Sequence, residues 1–167
     1  MKALVVYESM WGNTRQVAEA VAEGLGGVPM VEVHDAAGTD LAELDLLVVG
    51  GPTHALSMTR PKTRHDALEQ GATSGAEDRG IREWLAELPA DLRAPVATFD
   101  TRAKQARHLP GSAAKSAGKE LRKHHHGRVL ASASFYVEGT EGPLSEGELT
   151  RARAWATDLA AHVVPAS

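Results

Sequence analysis

Ser9-Met10-Trp11-Gly12-Asn13-Thr14 places two hydroxyls, a side-chain amide and a glycine where two periodicities meet. Upstream, Ala3-Leu4-Val5-Val6-Tyr7 is a continuous apolar run, as expected of a strand buried on both faces of a parallel sheet. Downstream, Val17, Ala18, Val21 and Leu25 recur at helical spacing, so a helix begins near Asn13 or Thr14. The first N–H groups of a helix lack internal partners and its dipole is positive there, so the junction suits an anion. Gly12 lets the backbone approach a phosphate closely, while Ser9 and Thr14 can each donate a hydroxyl proton. The alternative is an ordinary strand–helix turn capped by Ser9 or Asn13.

These residues resemble the phosphate loop of the flavodoxin family, usually Thr/Ser-x-Thr-Gly-x-Thr after the first strand. Ser9, Trp11, Gly12 and Thr14 fall on its positions in turn. Trp11 replaces the usual third-position Thr, as in the flavodoxin domains of flavodiiron proteins, which the Ser-Met-aromatic-Gly-Asn-Thr string is similar to. Gly50-Gly51-Pro52-Thr53-His54-Ala55 resembles the family's Gly-x-Pro-Thr-Trp, which begins a loop over one face of the flavin ring; His54 stands at the Trp position. Asp100-Thr101-Arg102 falls where the family places its second ring loop, often Gly-x-Gly-Asp with an aromatic. No aromatic occurs between Phe99 and Phe135, so by the resemblance the second stacking partner is either missing or non-aromatic, such as the backbone of His108-Leu109-Pro110-Gly111. The resemblance implies FMN as the cofactor, held by Ser9, Met10, Trp11, Gly12, Asn13, Thr14, Pro52, Thr53, His54, Ala55, Asp100, Thr101, Arg102, His108 and Gly111. A dinucleotide is disfavoured, because Gly-x-Gly-x-x-Gly and a ribose-binding acid about 20 residues on are both lacking.

The elements that must position these residues alternate strand and helix. After a helix stopped near Gly24 to Gly27, Val28–Val33 reads as the second strand, and Asp40 with Glu43 as the cap of a brief helical turn. Leu44–Gly51 is the third strand and central. Residues 55–78 show little apolar periodicity and no clear element, and carry Arg60, Lys62 and Arg64 against Asp66, reading as a flap beside the cofactor site or a disordered surface loop. Ile81, Trp84, Leu85 and Leu88 share a helix face ended by Pro89, which makes Trp84 core. Ala94–Phe99 is the fourth strand, with Asp100-Thr101-Arg102 as its exit, and Ser112 caps a helix bearing Ala113, Ala117 and Leu121. Arg128–Val137 alternates, as an edge strand does, and Ser145-Glu146-Gly147-Glu148 reads as a capping box opening a last helix. The expected fold is α/β: a three-layer, doubly wound, five-stranded parallel sheet, flavodoxin-like, in strand order 2-1-3-4-5. A single domain over residues 1–167 is expected.

Composition narrows the rest. The 43% hydrophobic and 24% charged content is ordinary for a globular chain, and the lack of cysteine excludes disulfides, thiolate metal sites and iron–sulfur clusters. His124-His125-His126 makes a poor chelate, since consecutive helical residues do not share a face, and no metal site is expected. An N-terminus that enters a strand at once leaves no place for a signal peptide, so a cytoplasmic protein without membrane insertion is the expectation. From Phe99 to Arg128, eight Lys/Arg face only Asp100 and Glu120, a balance of +6 that leaves −10 for the remainder of a chain at −4. Such a split can steer partners, or it can be a solvated helix face. The leading function is an FMN-binding carrier moving electrons between redox partner proteins, a reductase and an acceptor. No nucleic-acid partner is expected, and the oligomeric state is left open. An NAD(P)H-dependent flavin or quinone reductase, a protoporphyrinogen-oxidase-like enzyme, and a flavin-free interaction module are the alternatives.

Overall fold

The computed structural model describes residues 1–124 and 128–163. Five parallel strands run in the order β2-β1-β3-β4-β5. They are β1 (Ala3–Tyr7), β2 (Met30–Glu32), β3 (Leu46–Pro52), β4 (Val96–Ala103) and β5 (Val129–Val137). The helices are α1 (Asn13–Gly24), α2 (Pro61–Glu69), α3 (Ile81–Ala86), α4 (Ala113–His124) and α5 (Glu148–His162). The continuous apolar runs of β1 and β3 are buried along their length because both faces are covered. One face packs Val5, Val48 and Phe99 against Val17, Val21, Ala152 and Ala156 of α1 and α5. The other packs Val6, Val49 and Val96 against Trp84, Leu85, Ala117 and Leu121 of α3 and α4. Phe99, Phe135 and Trp155 meet edge to face with centroids 6.0–6.4 Å apart, fixing α5 on the sheet.

Several elements differ from the sequence reading. β2 is confined to Met30–Glu32, and Val33–Asp35 turns into a 3₁₀ helix. Ala42 and Glu43 form a turn and no helix, and Asp40 Oδ1 accepts the Ala42 amide at 2.9 Å. The 55–78 stretch contains α2, whose first turn has Pro61 at N1 and the Arg60 amide donating to Thr63 Oγ1 at 2.9 Å. Asp100-Thr101-Arg102 continue β4 instead of leaving it, paired to Ser134, Phe135 and Tyr136 of β5. The expected capping box at Ser145 does not form: Gly147 is the N-cap of α5. Glu148 instead accepts the Tyr136 amide at 2.7 Å and pairs with Arg151. His124 ends α4 beside Glu120, while His125 and His126 lie outside the described residues.

Candidate functional site

The carboxyl ends of β1, β3, β4 and β5 all open on one edge of the sheet, where chain reversal between β1 and β3 leaves a crevice. At β1, Gly12 adopts φ +94°, a left-handed conformation that glycine takes without steric cost, and α1 starts at the next residue. Ser9 Oγ accepts the amides of Gly12 at 3.2 Å and Arg15 at 3.3 Å, so Ser9 shapes the loop as a cap. The amides of Asn13 and Thr14 take no bond from the described residues and remain donors at the positive end of α1. Thr14 Oγ1 lies 2.7 Å from Thr101 Oγ1, both buried, which ties the loop to β4. Asn13 Nδ2 donates to the Glu141 carbonyl at 3.0 Å, bringing in the connection after β5. Behind the loop, the Thr73 and Ser74 amides each donate to the Met10 carbonyl at 3.1 Å.

At β3, His54 and Ser57 exchange backbone hydrogen bonds of 2.9 and 3.1 Å across Ala55 and Leu56. Both bridging residues are left-handed, at φ +50° and +61°, a conformation costing non-glycine residues roughly 1–2 kcal/mol each. The surroundings hold it: Ser57 Oγ meets Ser116 Oγ at 3.0 Å, and Arg82 donates to Ser57 Oγ, the Met58 carbonyl and the Thr59 carbonyl. His54 is half-buried; burial, then the positive charge of Arg64, depresses its pKa, so its ring is neutral at pH 7.

At β4, Asp100 is buried and its Oδ2 accepts the Ala114 amide at 2.9 Å, while Thr53 Oγ1 accepts the Ala113 amide at 3.0 Å. Together they cap α4, and burial raises the Asp100 pKa. Arg102, only 5% exposed, donates to the Ala106 and Leu109 carbonyls and folds the 104–109 turn back onto its strand.

These loops enclose a cavity of about 130 Å³ lined by Met10, Trp11, Asn13, Thr14, Pro52, Thr53, His54, Thr101, Arg102, Ala103, Val137, Gly139 and Thr140. Trp11 Nε1 and Arg102 Nε are buried beside it without a hydrogen-bond partner among the described residues. The lining thus supplies hydroxyls, N–H donors and one cation, and no carboxylate. A group with phosphate chemistry fits it. Among the described residues, no three His, Cys, Asp or Glu side chains converge as a metal site would require.

A buried polar knot supports the site from below. Glu8 Oε2 accepts the Thr59 hydroxyl at 2.6 Å and Oε1 the Ile81 amide at 2.9 Å. Arg64, fully buried, donates to Thr59 Oγ1 at 2.8 Å and the Glu77 carbonyl at 2.9 Å, and pairs with Glu83 at 2.9 Å. Burial raises the Glu8 pKa, opposed by these bonds and by Arg64. Arg64 therefore belongs to the scaffold, where the sequence reading had it as a flap charge.

A family model described as a flavodoxin domain matches residues 4–65, the span holding the first loop and the His54 turn. Over the whole chain, a flavodoxin from the domain Archaea superposes with TM-score 0.61 at 21% identity, covering 96% of this chain and 97% of its own. The chain has a flavodoxin-like fold. Oxidised Flavodoxin 2 from Bacillus cereus gives TM-score 0.60 at 20% identity, covering 96% and 97%. A cysteine-to-alanine mutant of flavodoxin from Pseudomonas aeruginosa gives 0.64 at 14%, covering 98% and 99%. No curated protein matches the chain.

Within this flavodoxin-like fold, nine of the residues singled out from the sequence line the cavity: Met10, Trp11, Asn13, Thr14, Pro52, Thr53, His54, Thr101 and Arg102. Six do not. Ser9 and Gly12 shape the first loop from behind, and Asp100 caps α4. Ala55 is exposed at its turn, His108 is exposed, and Gly111 packs under Leu56. Sequence reasoning missed Ala103, Val137, Gly139 and Thr140. The available signal was topological: a loop after a parallel strand opens on the same edge as the others, and Glu138-Gly139-Thr140 is the start of the loop after β5.

Proposed function

We propose that the chain binds FMN and carries electrons between partner proteins, a reductase and an acceptor, in the cytoplasm. The observation that carries this reading is the cavity at the winding reversal, lined by Thr14, Thr101, the free amides of α1 and buried Arg102. A phosphate and the start of a sugar-alcohol chain fit about 130 Å³, whereas sites for whole drug-sized ligands run to about 300–1,000 Å³. The tricyclic ring therefore belongs at the cavity mouth, near the His54 turn and the 104–111 turn. FMN, when bound, supplies the redox chemistry. The protein's part is to bind and orient: Asn13, Thr14 and Arg102 hold the anion, neutral His54 offers an aromatic face, and the pinned 54–57 turn limits water. No helix among the described residues is long and apolar enough to cross a membrane.

Adding FMN to purified protein and recording the visible spectrum tests the reading. Saturable uptake with perturbed flavin bands is expected, together with negligible steady-state NADPH oxidation. Uptake with rapid NADPH oxidation would make the protein a reductase, and no uptake would leave a flavin-free module.

A further inference from the structure

An apolar pair lies beside the cavity mouth, and unneutralised cations extend from it along the outer face of α4. Leu56 and Leu109, 37% and 50% exposed, are with Met1 the exposed large apolar side chains among the described residues. They belong to one rim. Gly111, at φ +89°, runs so close to the 54–57 turn that a Cβ would sit 2.8 Å from the Leu56 carbonyl oxygen. The Ser57–Ser116 contact seats that turn on α4.

The outer face of α4 presents Lys115, Lys119, Arg122 and Lys123, and the adjoining 104–109 turn presents Lys104 and Arg107, all exposed. Among the described residues, Lys115, Lys119, Arg122, Lys123 and Arg107 have no carboxylate partner; Lys104 only grazes Glu138 at 4.0 Å. Several exposed cations on other faces are paired, as in Arg15–Glu19, Lys62–Asp66 and Arg153–Glu23. Helix stability does not explain the pattern. Cations in the last turn of α4 complement its dipole, but Lys115 sits in the first turn, where a cation is disfavoured. Lys115 with Lys119 and Lys119 with Lys123 are like charges at i,i+4, which also disfavours the helix.

We propose that this rim docks a protein partner whose face bears carboxylates around a small apolar centre. Leu56 and Leu109 form the desolvated middle, Lys104, Arg107 and Lys115 form the polar surround, and Lys119, Arg122 and Lys123 farther along α4 steer the encounter. The proposal rests on the carrier reading only for its purpose, which is to bring an acceptor or donor to the cavity mouth; the docking itself needs no flavin.

The test uses ¹⁵N-labelled, flavin-free protein titrated with a 12-residue peptide having a central Leu-Phe pair and glutamate flanks. Its lysine-flanked counterpart and a 12-nucleotide oligothymidine serve as comparisons. Saturable amide shifts at 54–57, 104–111 and the outer face of α4 are expected, with none from the lysine-flanked peptide. Affinity should fall at least tenfold from 50 to 300 mM salt, and at least tenfold in Lys115→Glu/Lys119→Glu, whose exposed positions leave the remaining spectrum unchanged. Replacing the Leu-Phe pair with serines should weaken binding severalfold. Binding elsewhere, no binding, indifference to the double variant, or tighter binding of the oligonucleotide at this rim would each overturn the proposal. Because no flavin is present, failure here is distinct from failure to bind FMN.

Discussion

Replacing Arg64 with leucine should destabilise the protein by about 3 kcal/mol, although Arg64 lies in a stretch whose other cations face water. Its guanidinium is fully buried and bonds Thr59, Glu77 and Glu83 at 2.8–2.9 Å. Removing one partner of a buried ion pair costs roughly 3–5 kcal/mol, because the remaining groups stay desolvated. The lower end applies here, since the Glu83 side chain is 28% exposed and can turn toward solvent. Glu8 and Thr59 cannot, being 1% and 0% exposed. For a chain of 167 residues such a loss lowers Tm by roughly 6–12 °C. Urea unfolding followed by circular dichroism is the assay, with exposed Arg60→Leu as the control expected within about 0.5 kcal/mol of the parent. A loss below about 1 kcal/mol for Arg64→Leu, or equal losses for both variants, would refute the knot as the support of the site.

Glu8 gives the knot a pH signature. Burial raises its pKa in the fold, so the stability linked to it is present at low pH and is lost as pH rises through that raised value. Glu8→Gln cannot ionise, so parental stability minus variant stability should fall between acid and neutral pH in a urea series; a difference that grows with pH would contradict this. Arg102→Gln should weaken FMN but spare riboflavin. A cavity of about 130 Å³ keeps an anion within about 7 Å of its walls, worth about 2 kcal/mol per unit charge at an effective dielectric near 20. Screening reduces that to about 1 kcal/mol, or roughly fivefold in Kd by fluorescence titration, and equal losses for both flavins would assign Arg102 to folding alone. His54→Ala should lower flavin affinity by about 0.5–1.5 kcal/mol and shift the visible bands, with His54→Trp preserving or tightening binding. Unchanged spectra and affinities in both variants would make His54 a plain loop residue.

Where apolar side chains decided the outcome, the fold was readable from the chain. β1 and β3 are uninterrupted apolar runs, and α1, α4 and α5 carry their buried residues at helical spacing. α2 was hidden because its buried residues are Arg64 and Ala67; an arginine knot rather than an apolar stripe anchors it. Asp100 and Arg102 look like residues leaving a strand, yet both are held inside the fold, Asp100 by the Ala114 amide of α4 and Arg102 by carbonyls of the following turn. Ser145 and Glu148 have capping-box spacing, but the Glu148 carboxylate is claimed by the Tyr136 amide, 12 residues back on β5, and by Arg151 one turn along α5. In the site, the first loop was legible through its Gly12 and its hydroxyls. The Gly139-Thr140 wall was not, because it reaches the cavity through Asn13 and Glu141, 128 residues apart.

The most direct test of the central claim is a paired fluorescence titration of the purified protein with FMN and with riboflavin, repeated on Thr14→Ala. Thr14 contributes a buried hydroxyl and an α1 amide to the cavity, and a charged acceptor short of one such bond loses about 1–3 kcal/mol. The account predicts that FMN binds at least tenfold more tightly than riboflavin and that Thr14→Ala erodes most of that preference. Equal affinities for the two flavins, or a preference untouched by Thr14→Ala, would contradict the assignment of this cavity as the phosphate end of a flavin site.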